Sequence, residues 1–198
     1  GVPGEDANGV QTGVEFLRKA NNEALRHGLE GDVVVIGGGN VAVDVARTAV
    51  RLTEGKVTML CLESEKEMPA AADEVREAKE EDISVMNGWG PKEILTENGN
   101  VTAVVFKKCL SVKDADGKFN PQYDENETIT VPCKNVLLSI GQSIEWGKLL
   151  EGTKVELNRN NTAKADPVTL QTADPDIFVG GDVYTGPRFA IDAIAAGR

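Results

Sequence analysis

The sequence predicts an α/β fold: a Rossmann-like parallel sheet with an inserted antiparallel β-meander, followed by an incomplete second βα segment. Three observations predict it. Residues 32–36 (DVVVI) are mostly apolar and lead into three glycines, as in a buried parallel strand that feeds a helix. Residues 91–131 change to alternating polar and apolar residues around an Asn-Gly turn, a pattern typical of hairpins. Residues 177–198 repeat the apolar run, the glycines and the helical pattern.

Length and charge limit the classes of protein to which this chain can belong. A chain of 198 residues buries roughly 70% of its unfolded surface, which is enough for a real core. The net charge of -11 repels phosphate backbones and anionic lipids, so neither nucleic acid nor membrane is an expected partner. No apolar run reaches membrane-spanning length. The three cysteines contain no CxxC pair, which predicts reduced thiols and a cytoplasmic location.

The first half of the chain alternates between helical and strand patterns after a loop-like opening at 1–10. In the first helix, Val14, Leu17 and Leu25 occupy one face, with Gly28 as the C-cap. Pro69 is expected in the first turn of the third helix. The predicted elements are a helix over 13–28, a strand over 32–36, a helix over 40–52, a strand over 57–62, a helix over 69–82 and a strand over 83–88.

The second half begins with the meander. A polar loop is expected over 113–127, because its clustered carboxylates lack the glycine and acid positions of a calcium loop. The last segment is expected to form a strand, a glycine turn and a helix. The predicted strands are 92–97, 101–112, 127–132 and 135–141.

The glycine turn after the first buried strand predicts a dinucleotide site. Gly37 permits the tight turn, Gly39 lets the backbone approach a pyrophosphate, and Ala42 lets helix and strand pack closely. The helix that begins near Asn40 directs its free N–H groups at the phosphates. Glu63 follows the next strand, where an acid accepts hydrogen bonds from a ribose diol.

Two choices at this site stay open. Glu63 favours NAD because it repels the additional phosphate of NADP, while Lys66 keeps NADP as an alternative. Asn40 is either a helix N-cap or a direct ligand contact.

Four strings, VVVIGGGNVAVDVARTAVRL, EKEMPA, LLSIGQ and IFVGGDVYTGPRFAIDAIAAGR, together resemble the glutamate synthase small-subunit family. That family belongs to the pyridine nucleotide-disulfide oxidoreductase superfamily of flavoproteins. The resemblance implies an NAD(P)-binding domain inserted into an FAD-binding domain. Members that use NADP carry paired arginines at the positions of Leu62 and Glu63, so the resemblance also favours NAD here.

The resemblance extends the set of site residues. It implies that Gly181 and Asp182 belong to the second flavin motif, with a turn or capping role as the alternative for Asp182. It also implies that Gly141 and Gln142 lie near the nicotinamide. The cofactor-binding residues predicted are Gly37, Gly38, Gly39, Asn40, Val41, Ala42, Glu63, Gly141, Gln142, Gly181 and Asp182.

The resemblance also predicts the domain organisation. Residues 1–30 resemble a crossover from a flavin segment not found in this sequence, 31–142 form the NAD(P)-binding domain, and 143–198 form the C-terminal part of an incomplete FAD-binding domain. We expect this sequence to be an excised piece that binds dinucleotide, holds FAD poorly and is inactive alone.

The function expected is that of an NAD(P)H-dependent flavoprotein oxidoreductase. The resemblance implies hydride transfer from NAD(P)H to FAD, with electrons passing to an iron–sulfur domain or partner subunit. No catalytic acid or base is expected, because the cofactors carry the chemistry; the single histidine, His27, has no nucleophile or metal-ligand spacing around it. The alternatives are a non-catalytic dinucleotide-binding or assembly module and, third, an S-adenosylmethionine-dependent methyltransferase.

Overall fold

The computed structural model describes residues 1–22, 28–141 and 143–198. The chain divides into two compact units, Gly1–Ile140 and Gly141–Arg198. The first unit contains the strands β1 (Val10–Thr12), β2 (Val33–Ile36), β3 (Val57–Cys61), β4 (Ser84–Asn87), β5 (Trp89–Glu97), β6 (Asn100–Lys113), β7 (Phe119–Pro132) and β8 (Asn135–Leu138), and the helices α1 (Gly13–Asn21), α2 (Asn40–Val50) and α3 (Ala72–Glu80). The second contains α4 (Asp182–Thr185) and α5 (Ala190–Ala196).

Five strands form the parallel sheet that the sequence predicts. Their order is β1-β8-β2-β3-β4, and every neighbouring pair is parallel. Ile36, the last residue of β2, pairs with Leu60 of β3 and Leu138 of β8. The carboxyl ends of these three strands therefore meet at one edge of the sheet.

Both faces of this sheet are covered, which explains the uninterrupted apolar sequence of β2. Val33 and Val35 pack with the helices in one core cluster. Val34 and Ile36 pack in a second cluster with Val104 and Phe106 of the meander. The first unit thus has three layers, with helices on one face of the parallel sheet and the antiparallel sheet β5-β6-β7 on the other.

The N-terminal elements differ from the prediction. Val10, expected to end the loop-like opening, instead begins β1, which pairs with β8; three residues are too few to give a periodic signal. In α1 the buried side chain is Phe16, whereas Val14 is 54% exposed. The predicted apolar face was therefore wrong at Val14, while Leu17 packs against the helix-side core as predicted. Leu25 lies outside the described residues.

Two predicted boundaries in the middle of the chain were also wrong. Residues 119–127 belong to β7 instead of the polar loop; β7 lies at a sheet edge where most of its side chains are exposed, so it needs few apolar residues. Helix α3 begins at Ala72, leaving Pro69 outside it. Ala70 and Ala71 before it donate their N–H groups to residues of the glycine turn.

The second unit has less regular structure than the sequence predicts. The expected strand at 177–179 is reduced to an isolated bridge between Gln171 and Phe178. The expected single helix is interrupted at Gly186 and Pro187, leaving two short helices on either side. None of the helices in the described residues is both long and apolar enough to span a bilayer.

Phe16 and Val14 provide a test of which face of α1 packs on the sheet. Phe16 is fully buried, so Phe16→Ala should lower the free energy of unfolding by about 3 to 5 kcal/mol. Val14→Ala should change it by less than about 0.5 kcal/mol. Urea denaturation of both variants measures this difference. A large loss from Val14→Ala instead would mean that the helix packs through the face predicted from the sequence.

Candidate functional site

The glycine turn lies at the carboxyl edge of the parallel sheet, between the end of β2 and the start of α2. Gly37 continues the sheet pairing by donating its N–H to the carbonyl of Leu60 at 2.9 Å. Its φ is +148°, and an added Cβ would lie 2.6 Å from the carbonyl oxygen of Ser139 and 3.2 Å from the Cβ of Ala42. The adjacent end of β8 and the packing of α2 therefore require glycine at this position.

The second glycine brings an acid to the turn. A Cβ at the buried Gly38 would lie 2.8 Å from Oε2 of Glu63 and 2.9 Å from the Cβ of Cys61. The carboxylate of Glu63 thus reaches back from the end of β3 to the glycine turn. Its main-chain carbonyl accepts the N–H of Gly88, which follows β4, at 3.1 Å.

Neither the backbone conformation nor a neighbouring atom requires glycine at the third position. Gly39 has φ -91° and ψ 174°, which any residue adopts, and nothing lies within 4 Å of an added Cβ. It is the N-cap of α2. Among the described residues, no hydrogen bond satisfies the N–H groups of Gly38, Gly39, Asn40 or Val41. The turn therefore combines open space with free N–H donors and the positive end of a helix dipole.

Asn40 does not cap α2, so the N-cap interpretation was wrong. It is the first residue of the helix, and its Oδ1 accepts the N–H of Ala71 at 2.8 Å. Val41 is half-buried against the helix-side core, where Ala42 is fully buried. Ala42 lies beneath Gly37 and lets the helix approach the strand, the packing that its small side chain predicts.

Cys61 lies next to the turn but is unsuited to thiolate chemistry. Burial, and secondarily the nearby charge of Glu63, raises the pKa of the Cys61 thiol to about 12. The side-chain amide of Asn87 donates to its sulfur at 3.2 Å. All three cysteines are free and buried. The described part of the chain also contains no group of three or more histidine, cysteine, aspartate or glutamate residues that could hold a metal ion.

The remaining predicted site residues lie in the second unit. Gly141 has φ +72° with open space at its Cβ, and Gln142 lies outside the described residues. Gly181, with φ +66°, packs against α5, since an added Cβ would lie 3.0 Å from that of Ala193. Asp182 accepts the N–H of Arg188 through Oδ1 at 3.2 Å. The turn role considered for Asp182 is therefore present, and its side chain remains exposed.

The family model for "Pyridine nucleotide-disulphide oxidoreductase" matches residues 1–197. The chain belongs to this family. The resemblance recognised in the sequence motifs is confirmed. The match covers both structural units. It therefore includes both the glycine turn and the Gly-Gly-Asp turn.

Curated proteins resemble the whole chain. The NADP(+)-dependent formate dehydrogenase subunit beta of Moorella thermoacetica is 37% identical over 205 residues, which cover 100% of this chain and 28% of that protein. The glutamate synthase [NADPH] small chain of Escherichia coli is 31% identical and is covered to 45%. The chain thus spans less than half the length of these relatives.

Solved structures agree with the fold of this family. Mycobacterium tuberculosis FprA in complex with NADPH superposes with a TM-score of 0.75 at 18% identity, over 98% of this chain and 58% of that one. Thioredoxin reductase of T. acidophilum gives a TM-score of 0.69 at 22% identity, over 100% of this chain and 57% of that one. At these identities the likeness shows the fold alone.

Sequence reasoning missed the loop between β3 and α3 as part of the site. Ala70 donates its N–H to the carbonyl of Gly38 at 3.1 Å, next to the bond between Ala71 and Asn40. The residues EKEMPA contributed to the family resemblance, but alanine N–H groups give no chemical signal in a sequence.

The same substitution should destabilise the protein much more at Gly37 than at Gly39. Gly37→Ala should lower the free energy of unfolding by about 2 to 5 kcal/mol, because it adds backbone strain and a clash with the Ser139 carbonyl. Gly39→Ala should lower it by no more than about 1 kcal/mol, the cost of a poorer N-cap. Equilibrium unfolding in urea tests this, and equal losses would contradict the assigned conformations.

Proposed function

We propose that this chain is the NAD(P)-binding portion of a flavin-dependent oxidoreductase. The observation that carries the proposal is the glycine turn, which combines open space at Gly39, N–H groups at the start of α2 that have no partner among the described residues, and the carboxylate of Glu63 beside Gly38. A glycine that neither its φ nor any neighbour requires is explained by a ligand that approaches the backbone.

The turn fits the two polar parts of a dinucleotide. The free N–H groups and the helix dipole at the start of α2 suit the pyrophosphate. The carboxylate of Glu63, at the end of the neighbouring strand, suits the hydroxyls of the adenosine ribose. Family membership supports the same cofactor class.

Within this class we propose a preference for NAD over NADP. The Glu63 carboxylate lies beside Gly38, where it would repel a phosphate on the ribose. NADP remains the alternative, because the relatives from Moorella thermoacetica and Escherichia coli are named for NADP(+) or NADPH. Lys66 follows closely in the same loop and is exposed.

The second unit is proposed to contribute to an FAD-binding domain through Gly181 and Asp182, with Gly141 and Gln142 on the nicotinamide side. Its fit to the flavin rests on the exposed carboxylate of Asp182 and on family membership. Several large apolar side chains of this unit are exposed, which supports a domain completed by further protein. They are Leu149, Leu157, Val168, Phe178, Phe189, Ile191 and Ile194.

With both cofactors bound, the chemistry they supply is hydride transfer from the reduced nicotinamide to the flavin. The residues of this chain bind and orient the dinucleotide, and none is needed as a catalytic acid or base. Electrons would continue to an iron–sulfur domain or partner subunit. The proposed division of the chain is a crossover over 1–30, an NAD(P)-binding domain over 31–142 and a partial FAD domain over 143–198. A cytoplasmic location is part of the proposal and is supported by the free cysteines.

Direct titration tests the cofactor class. The chain should bind NADH, detected by fluorescence or calorimetry, and should not bind S-adenosylmethionine. Gly39→Ala should weaken NADH binding about tenfold or more, because its methyl group occupies the space proposed for the pyrophosphate. The free energy of unfolding of Gly39→Ala, measured in urea, is the control, because it shows whether weaker binding comes from a loss of folding. Absence of nicotinamide binding would overturn the proposal, and binding of S-adenosylmethionine would support a methyltransferase.

Glu63 should set the choice between NADH and NADPH. Glu63→Gln should weaken NADH binding about tenfold, because it removes charge-assisted hydrogen bonds to the ribose. NADPH affinity should rise, because the repulsion is removed. Glu54→Gln is a matched control, since this exposed acid precedes the same strand at its amino end and should leave the ratio unchanged. Equal losses for both dinucleotides would show that Glu63 does not discriminate between them.

A further inference from the structure

The loop of residues 64–71 between β3 and α3, called the β3–α3 loop below, is bonded directly to the glycine turn. Two consecutive N–H groups make these bonds. Ala70 donates to the carbonyl of Gly38 at 3.1 Å, and Ala71 donates to Oδ1 of Asn40 at 2.8 Å. Two hydrogen bonds therefore join the end of this loop to the glycine turn and the start of α2. One acceptor is the main-chain carbonyl of Gly38, and the other is the side-chain oxygen of Asn40.

Asn40 is the residue in this arrangement whose side chain supplies a contact. The partner at Ala71 is an N–H donor, so the Asn40 atom that faces it is the carbonyl oxygen of the amide. Ala71 is the N-cap of α3, but an alanine side chain cannot cap a helix. The amide of Asn40 thus engages the beginning of one helix from the first turn of another.

The other end of the same loop adjoins the proposed ribose acid. Glu63 immediately precedes the loop; its main-chain carbonyl accepts the N–H of Gly88, and its carboxylate lies beside Gly38. Glu63 is half-buried, whereas Ser64, Glu65, Lys66 and Glu67 are exposed. The loop is consequently fixed at its two ends, by Gly88 on one side and by the glycine turn on the other.

We propose that Asn40 is a positioning residue that couples the phosphate-binding turn to the ribose-binding acid. This inference rests on the proposed function. By holding Ala71, Asn40 keeps the β3–α3 loop closed against the turn, so that Glu63 meets the ribose while the N–H groups of α2 meet the pyrophosphate. The geometry assigns Asn40 a part in dinucleotide selectivity without requiring contact with the dinucleotide.

Loss of the bond should therefore affect NADH more than NADPH. A looser loop places Glu63 less accurately, which weakens its hydrogen bonds to an unmodified ribose and also weakens its repulsion of the additional phosphate. Loss of one such contact corresponds to about a fivefold change in affinity. The ratio of the NADPH to the NADH dissociation constant should fall by about that factor.

The bond can be broken from either side in the 198-residue chain. Asn40→Ala removes the acceptor. Ala71→Pro removes the donor without substituting Asn40, whose side chain must turn away from the proline ring; the φ of -60° at Ala71 already suits proline. Both variants should lower the ratio to the same extent, and the double variant should lower it no further. Asn40→Asp keeps an acceptor oxygen and should retain the wild-type ratio, even if its charge weakens the binding of both dinucleotides.

Thr53 offers a matched control at the opposite edge of the sheet. Its hydroxyl donates to the carbonyl of Gly31 at 2.7 Å and accepts the N–H of Gly55 at 3.0 Å. Thr53→Ala thus removes one bond between the segments that precede β2 and β3 and one within the segment that precedes β3. It should lower stability as much as Asn40→Ala without changing the ratio.

Three outcomes would overturn the inference. If Asn40→Ala weakens binding while Ala71→Pro has no effect, Asn40 contacts the dinucleotide directly. If the two effects add fully, they do not act through one bond. If both variants lose stability but keep the wild-type ratio, the bond is only structural. A wild-type chain that binds neither NADH nor NADPH would instead overturn the proposed function, and this inference with it.

Discussion

The parallel pairing of β2 with β3 and β8 is the constraint on which the rest of the first unit depends. It places Ile36, Leu60 and Leu138 side by side, so the segments that follow these strands emerge together. Gly37 pairs with Leu60 and approaches the carbonyl of Ser139 too closely for any side chain. Position 37 is glycine because β3 and β8 end beside it.

The same sheet explains how a polar site sits on an apolar core. The side chains of β2 alternate between the helical layer and the meander, and all four are buried. With both faces covered, the carboxyl edge is where polar groups can gather without burying charge. Glu63 and Asn40 lie at that edge and are only half-buried. The position of these groups agrees with the general rule that ligands bind beyond the carboxyl ends of parallel strands.

The three glycines and Asn40 have different roles, and the atoms around each residue determine its role. Gly37 fits the protein itself, whereas Gly39 leaves space for something outside it. Gly38 offers its carbonyl to Ala70 and its bare Cα to Glu63. Asn40 extends this network to the next helix through Ala71. The turn is thus one part of a hydrogen-bonded assembly that includes the β3–α3 loop.

Much of this protein could be predicted from its sequence. The buried strands were recognised because continuous apolar runs of four or five residues suit strands covered on both faces. The glycine turn and Glu63 could be predicted because a dinucleotide-binding βαβ unit carries small residues and a terminal acid at fixed positions. The α/β class, the inserted meander and the family are confirmed.

Tertiary structure decided the remainder, wherever a distant partner outweighed local preference. Val10–Thr12 is a strand because β8 offers an open edge, and the polar residues 119–127 are a strand because β6 pairs with them. Pro69 does not open α3, because Ala70 and Ala71 donate their N–H groups to the glycine turn. The sequence by itself determined the strand, turn and acid of the candidate site, since their signals are local. Only the folded chain joined Asn40 to Ala71, because hydrogen bonds between residues far apart in sequence leave no periodic pattern.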